Sequence, residues 1–180
     1  KWFAIEHEDV VPDIITMAKG LTCGYVPLGA VAVSEKIMAK LGKQKLWTGL
    51  TYTGHPLGCA TAAAAINAYK DEGLIENAAK LGVVLSQRMT EMYAQYDVIG
   101  DARNSGLFGA FELVQDRETK EPIPAEKHSP IKAKLMAKGL STLVKEHIIF
   151  VGPPLIISEE ELHAGLDIIE EVIKIGRAHV

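Results

Sequence analysis

Two stretches in the first half of the chain carry almost no charge. Over residues 14–34 the only formally charged side chain is Lys19, and over residues 46–69 there is none, His55 aside. A solvated surface segment carries charged side chains along its outer face, so stretches this poor in charge stand apart from an ordinary surface. Residues 35–45, between them, are lysine-rich and amphipathic, as a solvent-facing helix or loop would be. The whole chain, 180 residues with 48% apolar and 23% charged side chains, has the balance of a globular protein rather than a disordered one. Lys plus Arg total 19 against 23 Asp plus Glu, a formal net charge of −4. That lacks the basic surplus used to bind duplex phosphates, so no nucleic-acid partner is expected. Cys23 and Cys59 form no CxxC or Cys/His pattern. Neither a disulfide framework nor a structural metal site is therefore expected, and a reducing, cytoplasmic setting fits best. No apolar run is long enough to span a bilayer, and the opening KWFAIEHEDV is too acidic for a signal peptide, so no membrane partner is expected.

The pattern along the chain predicts an α/β protein. Residues 13–18 form a short apolar run closed by Lys19-Gly20, a buried strand leaving into a turn, and residues 25–33 hold a second short run. Pro56 stands where a first helical residue is favoured. The alanine-rich helix it opens runs towards Gly73 and should pack on more than one face. From about residue 75 the texture changes. Leu74, Ala78, Leu81, Leu85 and Met89 recur at helical spacing, residues 106–114 and 148–151 read as strands, and residues 130–138 as a helix. Ser158 and Glu161 make a capping box ahead of a last helix striped by Leu162, Leu166, Ile169 and Val172. The expected domains are residues 1–74 and 75–174. Residues 175–180 break the helical pattern and read as a non-native tail.

Two places could carry chemistry. Lys19 lies among apolar and small residues. Burial would disfavour its ammonium form, the condition an imine-forming lysine needs, whereas a lysine snorkelling from a strand end would keep its head in water. Gly49-Leu50-Thr51-Tyr52-Thr53-Gly54-His55-Pro56 offers hydroxyls and backbone donors ahead of a helix. Such a turn can present donors to an anion, or Thr51 or Thr53 can simply cap the helix. His55 has no second ligand at metal spacing and reads as a turn histidine.

Taken in order, Asp13-Ile-Ile-Thr-Met-Ala-Lys19-Gly-Leu, Pro27-Leu-Gly-Ala, Thr51-Tyr-Thr-Gly-His-Pro56, Gly100-Asp-Ala-Arg103 and Gly152-Pro-Pro-Leu155 resemble the class III pyridoxal-phosphate-dependent aminotransferases, in particular the ω-amino acid–pyruvate subgroup. The resemblance covers residues 2–172. It implies a type I aspartate-aminotransferase-like fold, with the end of the large cofactor domain followed by the small C-terminal domain. Lys19 matches the lysine that holds the cofactor aldehyde as a Schiff base. Thr51, with the Leu50 N–H beside it, matches the residue that reaches the cofactor phosphate of a partner subunit, so a homodimer with shared active sites is implied. A substrate amine would displace Lys19, and the freed amine would move the proton between the substrate carbon and the cofactor's C4′ before a keto acid such as pyruvate completes the exchange.

Several positions depart from the family's pattern. Asn104 and Thr48 replace a glycine and a histidine common in the family, and residues 140–150 hold Lys145 but no arginine for an α-carboxylate. Arg103 reads as a structural ion pair. The aspartate for the pyridine nitrogen and a glycine-rich phosphate turn belong upstream in this family, so the resemblance implies a C-terminal fragment that is inactive alone. The alternatives are an aminomutase or decarboxylase on the same scaffold, or a non-catalytic interaction domain.

Overall fold

The computed structural model describes residues 1–42, 44–45 and 47–177, which divide into two compact units, Lys1–Ile75 and Glu76–Val180. In the first unit, β1 (Ile14–Met17) pairs antiparallel with β2 (Ala30–Val33) in a two-stranded ribbon whose register runs from Ile14 opposite Val33 to Met17 opposite Ala30. A single turn of 3-10 helix, Lys19–Thr22, follows β1. Helix α1 (Glu35–Leu41) starts after Ser34, whose hydroxyl donates to Asp13 Oδ1 at 2.7 Å and so ties the helix to the foot of β1. Helix α2 (Pro56–Asp71) has Pro56 at its first position and stops at Gly73, whose φ of +60° suits glycine after a helix end.

Both charge-poor stretches form their expected elements but are not buried. Strand β1 alternates between exposed and half-buried positions, and of the residues of α2 only Gly58 and Ala62 are buried. The physical reason is thin cover. Among the described residues the ribbon has two strands, which leaves these elements little to pack against.

The second unit is built differently. Helix α3 (Leu74–Gln95), which begins at the unit boundary, leads into an antiparallel sheet in the order β3 (Ile99–Ser105), β4 (Phe108–Asp116), β7 (Ile148–Val151), β6 (Val144–Lys145). The two-residue β5 (Glu121–Pro122) pairs with β4 at the side. Helices α4 (His128–Ala137) and α5 (Glu159–Arg177) complete it. Leu81, Leu85, Met89 and Met92 of α3 and Leu162, Leu166, Ile169 and Val172 of α5 join Phe111, Leu113 and Ile149 of the sheet in one core. The capping box forms as the pattern requires: the Ser158 hydroxyl accepts from the Glu161 N–H at 3.1 Å, and Glu161 Oε2 accepts from the Ser158 N–H at 2.9 Å. Helix α5 continues through residues 175–177, where the sequence pattern reads as broken; Ala178, His179 and Val180, the rest of that segment, lie outside the described residues.

Candidate active site

Lys19 opens the 3-10 turn at the end of β1 with φ at +54°, a left-handed backbone that costs a side-chain-bearing residue about 1–2 kcal/mol. Cys23, which closes the turn, is left-handed as well, at +51°. A turn held in this conformation at both ends is over-determined by its surroundings, a trait of functional loops. Two side-chain contacts tie it to its surroundings. The Thr22 hydroxyl donates to the Val26 carbonyl at 2.6 Å, and the Cys23 thiol lies 3.7 Å from the Tyr69 hydroxyl of α2. Burial pushes the Tyr69 phenol above its usual range, and Cys23 adds to the shift.

The charge-poor sequence around Lys19 does not translate into a dry side chain. Lys19 is exposed in this chain, as are Ala18 and Gly20 on either side. Its ε-amino group makes no hydrogen bond or ion pair among the described residues, which leaves the amine available to a carbonyl compound.

The segment ahead of α2 folds as successive turns rather than as a side-chain cap. The Thr53 N–H donates to the Leu50 carbonyl at 2.9 Å and the His55 N–H to the Tyr52 carbonyl at 3.1 Å. His55 is the residue preceding the helix, and neither it nor Thr51 nor Thr53 makes a side-chain cap bond. The His55 ring instead lies against Tyr52, centroids 5.7 Å apart. This turn borders a cleft of about 490 Å³ whose walls include Pro27, Leu28, Gly29, Leu50, Tyr52 and Gly58. Leu50 therefore lines the cleft and Thr51 sits exposed in the turn beside it, while Lys19 is not among the lining residues. The Thr51 hydroxyl and the Leu50 N–H have no partner among the described residues, a donor pair suited to an anion.

The remaining motifs are held by contacts within the second unit. Arg103 pairs with Asp101 and, at 2.6 Å, with Glu112, and these two carboxylates raise its pKa, Glu112 contributing more. Gly100 leaves room for Val114, whose Cγ1 would lie 2.5 Å from an added Cβ. Asn104 donates from Nδ2 to the carbonyls of Gly82 and Gly106, both at 2.9 Å, and so joins α3 to the β3–β4 hairpin. The Gly152-Pro-Pro-Leu155 segment is pinned through its Leu155 carbonyl, which accepts from Asn77 Nδ2 at 2.7 Å. Sequence reasoning missed Thr22 and Tyr69. Thr22 bonds a backbone carbonyl, a partner that side-chain patterns do not reveal.

No described helix is long and apolar enough to cross a membrane, and no group of three or more His, Cys, Asp or Glu side chains among the described residues is placed to hold a metal ion. The sequence matches the family model for Aminotransferase class-III over residues 1–173. It is 37% identical to an adenosylmethionine-8-amino-7-oxononanoate aminotransferase of Anoxybacillus flavithermus, over 96% of this chain and 39% of that protein. It is also 37% identical to a leucine/methionine racemase of Thermococcus litoralis, over 96% of this chain and 38% of that protein. The fold superposes with a TM-score of 0.91 on a taurine:2-oxoglutarate aminotransferase of Bifidobacterium kashiwanohense, solved in complex with PLP and glutamate. That match is 38% identical and covers 99% of this chain and 41% of the other. The chain thus spans about two-fifths of the length of these relatives. With a family match that runs through both units and a backbone that follows transaminases of fold type I, the chain belongs to the class III aminotransferase family.

Proposed function

We propose that this chain contributes the cofactor-binding lysine and part of the phosphate pocket of a pyridoxal-phosphate-dependent transaminase. The observation that carries the reading is the Lys19 amine, unpaired among the described residues and presented on a left-handed turn. The donor chemistry fits the cofactor: a free primary amine for its aldehyde, and the Thr51 hydroxyl with the Leu50 N–H for its phosphate. When bound, pyridoxal phosphate supplies an electron sink for charge that develops at the substrate's amine-bearing carbon. Lys19 holds the cofactor, yields to the incoming amine, and in its neutral form carries a proton from the substrate carbon. Thr51 and Leu50 steady the phosphate bound in the other subunit of a homodimer.

The substrates we favour are an ω-amino acid or other terminal amine and a keto acid such as pyruvate, in a cytoplasmic enzyme. The absence of an arginine from residues 140–150 supports a donor without an α-carboxylate. The unit Lys1–Ile75 then reads as part of the large cofactor domain and Glu76–Val180 as the small domain. A second reading, amino-acid racemisation on the same scaffold, is favoured by the racemase relative and would use the same lysine. The test is to mix the intact protein with pyridoxal phosphate, record the visible absorption band, reduce with borohydride and map the modified peptide. Modification of Lys19, abolished in Lys19→Ala, is the expected result; a modified peptide elsewhere, or no band, refutes it.

A further inference from the structure

We infer that Thr22 is a positioning residue for Lys19. The inference rests on the reading of Lys19 as the cofactor lysine. Within the Lys19–Thr22 turn, Thr22 alone has a buried side chain, 1% exposed, and no other Ser, Thr, Asn, Gln or charged residue is buried among the described residues. A hydroxyl taken out of water must be hydrogen-bonded, and this one donates to the Val26 carbonyl at 2.6 Å. A second bond closes the same loop, with the Tyr25 N–H donating to the Thr22 carbonyl at 3.1 Å.

Val26 and the three residues after it line the cleft beside Leu50. The Thr22 hydroxyl therefore fastens the lysine-bearing turn to the cleft wall. Lys19 is left-handed, and its own side chain makes no bond that would hold it so. The turn's internal bonds, Leu21 N–H to Ala18 carbonyl and Cys23 N–H to Gly20 carbonyl, are both 3.2 Å long. They transmit the anchor at Thr22 back to Lys19. Tyr69 closes the far side, since a Cβ on Gly20 would lie 3.5 Å from its hydroxyl. Losing the Thr22 hydroxyl should let the turn relax towards right-handed backbone at Lys19 and spread the directions in which the amine points.

The experiment compares Thr22→Ser, Thr22→Ala and Thr22→Val with the wild-type intact protein in two readouts, neither of which is turnover. The first is the rate at which Lys19 becomes modified by pyridoxal phosphate. Amine and aldehyde join with loss of water, borohydride hydride reduces the C=N bond, and the Lys19 peptide is quantified by mass spectrometry against the peptide bearing exposed Lys80. The second is hydrogen exchange at the Leu21 and Cys23 amides without cofactor. Thr22→Ala and Thr22→Val should modify Lys19 about fivefold more slowly and exchange those amides about fivefold faster, the worth of one hydroxyl–carbonyl bond. Thr22→Ser should restore both to within about twofold of wild type. Should Thr22→Val fail to fold, the serine–alanine pair, which differs by one oxygen atom, decides. Equal Lys19 modification rates in those two variants overturn the positioning role while the cofactor reading stands. A wild-type Lys19 that is never modified overturns the cofactor reading and the positioning role together.

Discussion

The two units use apolar sequence in opposite ways. In Lys1–Ile75 the large apolar side chains are mostly at the surface, with Val11, Tyr25, Trp47, Leu50 and Tyr52 all more than three-quarters exposed. In Glu76–Val180 the helix stripes and sheet strands close over one another, and Leu85, Phe111 and Ile149 are wholly buried. Among the described residues, the charge-poor stretches of the first unit have no covering layer. A core needs a second layer whose pattern is in phase with the first, as α3, α5 and the sheet provide. The unit that carries Lys19 and Thr51 is the one with little interior, and its geometry is held by a few specific bonds rather than by packing.

The contrast is sharpest in truncations. Phe111→Ala should destabilise the chain by about 3–5 kcal/mol in urea denaturation, and Leu85→Ala by about 2–5 kcal/mol. Leu50→Ala, at an 81% exposed position, should shift stability by no more than about 0.5 kcal/mol. Equal losses at Leu85 and Leu50 would break the distinction between the units. Glycine substitutions probe the same contrast at smaller scale. A Cβ on Gly82 would lie 2.6 Å from the Gly106 Cα, backbone that cannot swing aside, so Gly82→Ala should cost about 1–3 kcal/mol. Gly49→Ala meets open space and should be neutral or stabilising by up to about 1 kcal/mol, with thermal melts of the two variants as the check.

The smallest effect is a pH slope peculiar to the second unit. Glu170 accepts from the Tyr96 hydroxyl at 2.6 Å, from Lys174 at 3.0 Å and from Arg88 at 3.2 Å. The Tyr96 bond, followed by Lys174 and then Arg88, holds its carboxyl below the ordinary value of 4.5. The unfolded chain then takes up the proton first on acidification. The stabilisation is complete above the ordinary value and is lost as pH falls through the folded one. Glu170→Gln should flatten the acid limb of a plot of urea midpoint against pH. A variant that keeps the wild-type slope would show that Glu170 does not supply it.

How much of this could be read from the sequence depended on whether a signal was local. Pro56, Gly73 and the Ser158–Glu161 pair mark helix ends through chemistry acting within a few residues, and α2 and α5 begin where those signals put them. The strand at residues 148–151 has the predicted bounds because it is a pure apolar run. Strand β3 escaped because Ile99–Ser105 is largely polar and its register slips between Ile99 and Asp101, which destroys the alternation. Strands β5 and β6, two residues each, are too short for any period. The position of Lys19 was legible from its motif, but its exposure and left-handed φ were not. Exposure depends on what covers the ribbon, and a lysine gives no hint of the conformation that a glycine or asparagine would advertise. Thr22 was hidden for a related reason, since its partner is a backbone carbonyl and leaves no mark in side-chain composition.

The β1–β2 ribbon has one further effect. Each strand is paired on one side only among the described residues, which leaves a rim of backbone donors and acceptors on both Ile14–Met17 and Ala30–Val33. Such rims template further strands, and neither strand contains a lysine or proline to discourage them. Val31→Lys should therefore weaken any strand added along that rim, and comparing the solubility limits of the two chains checks it.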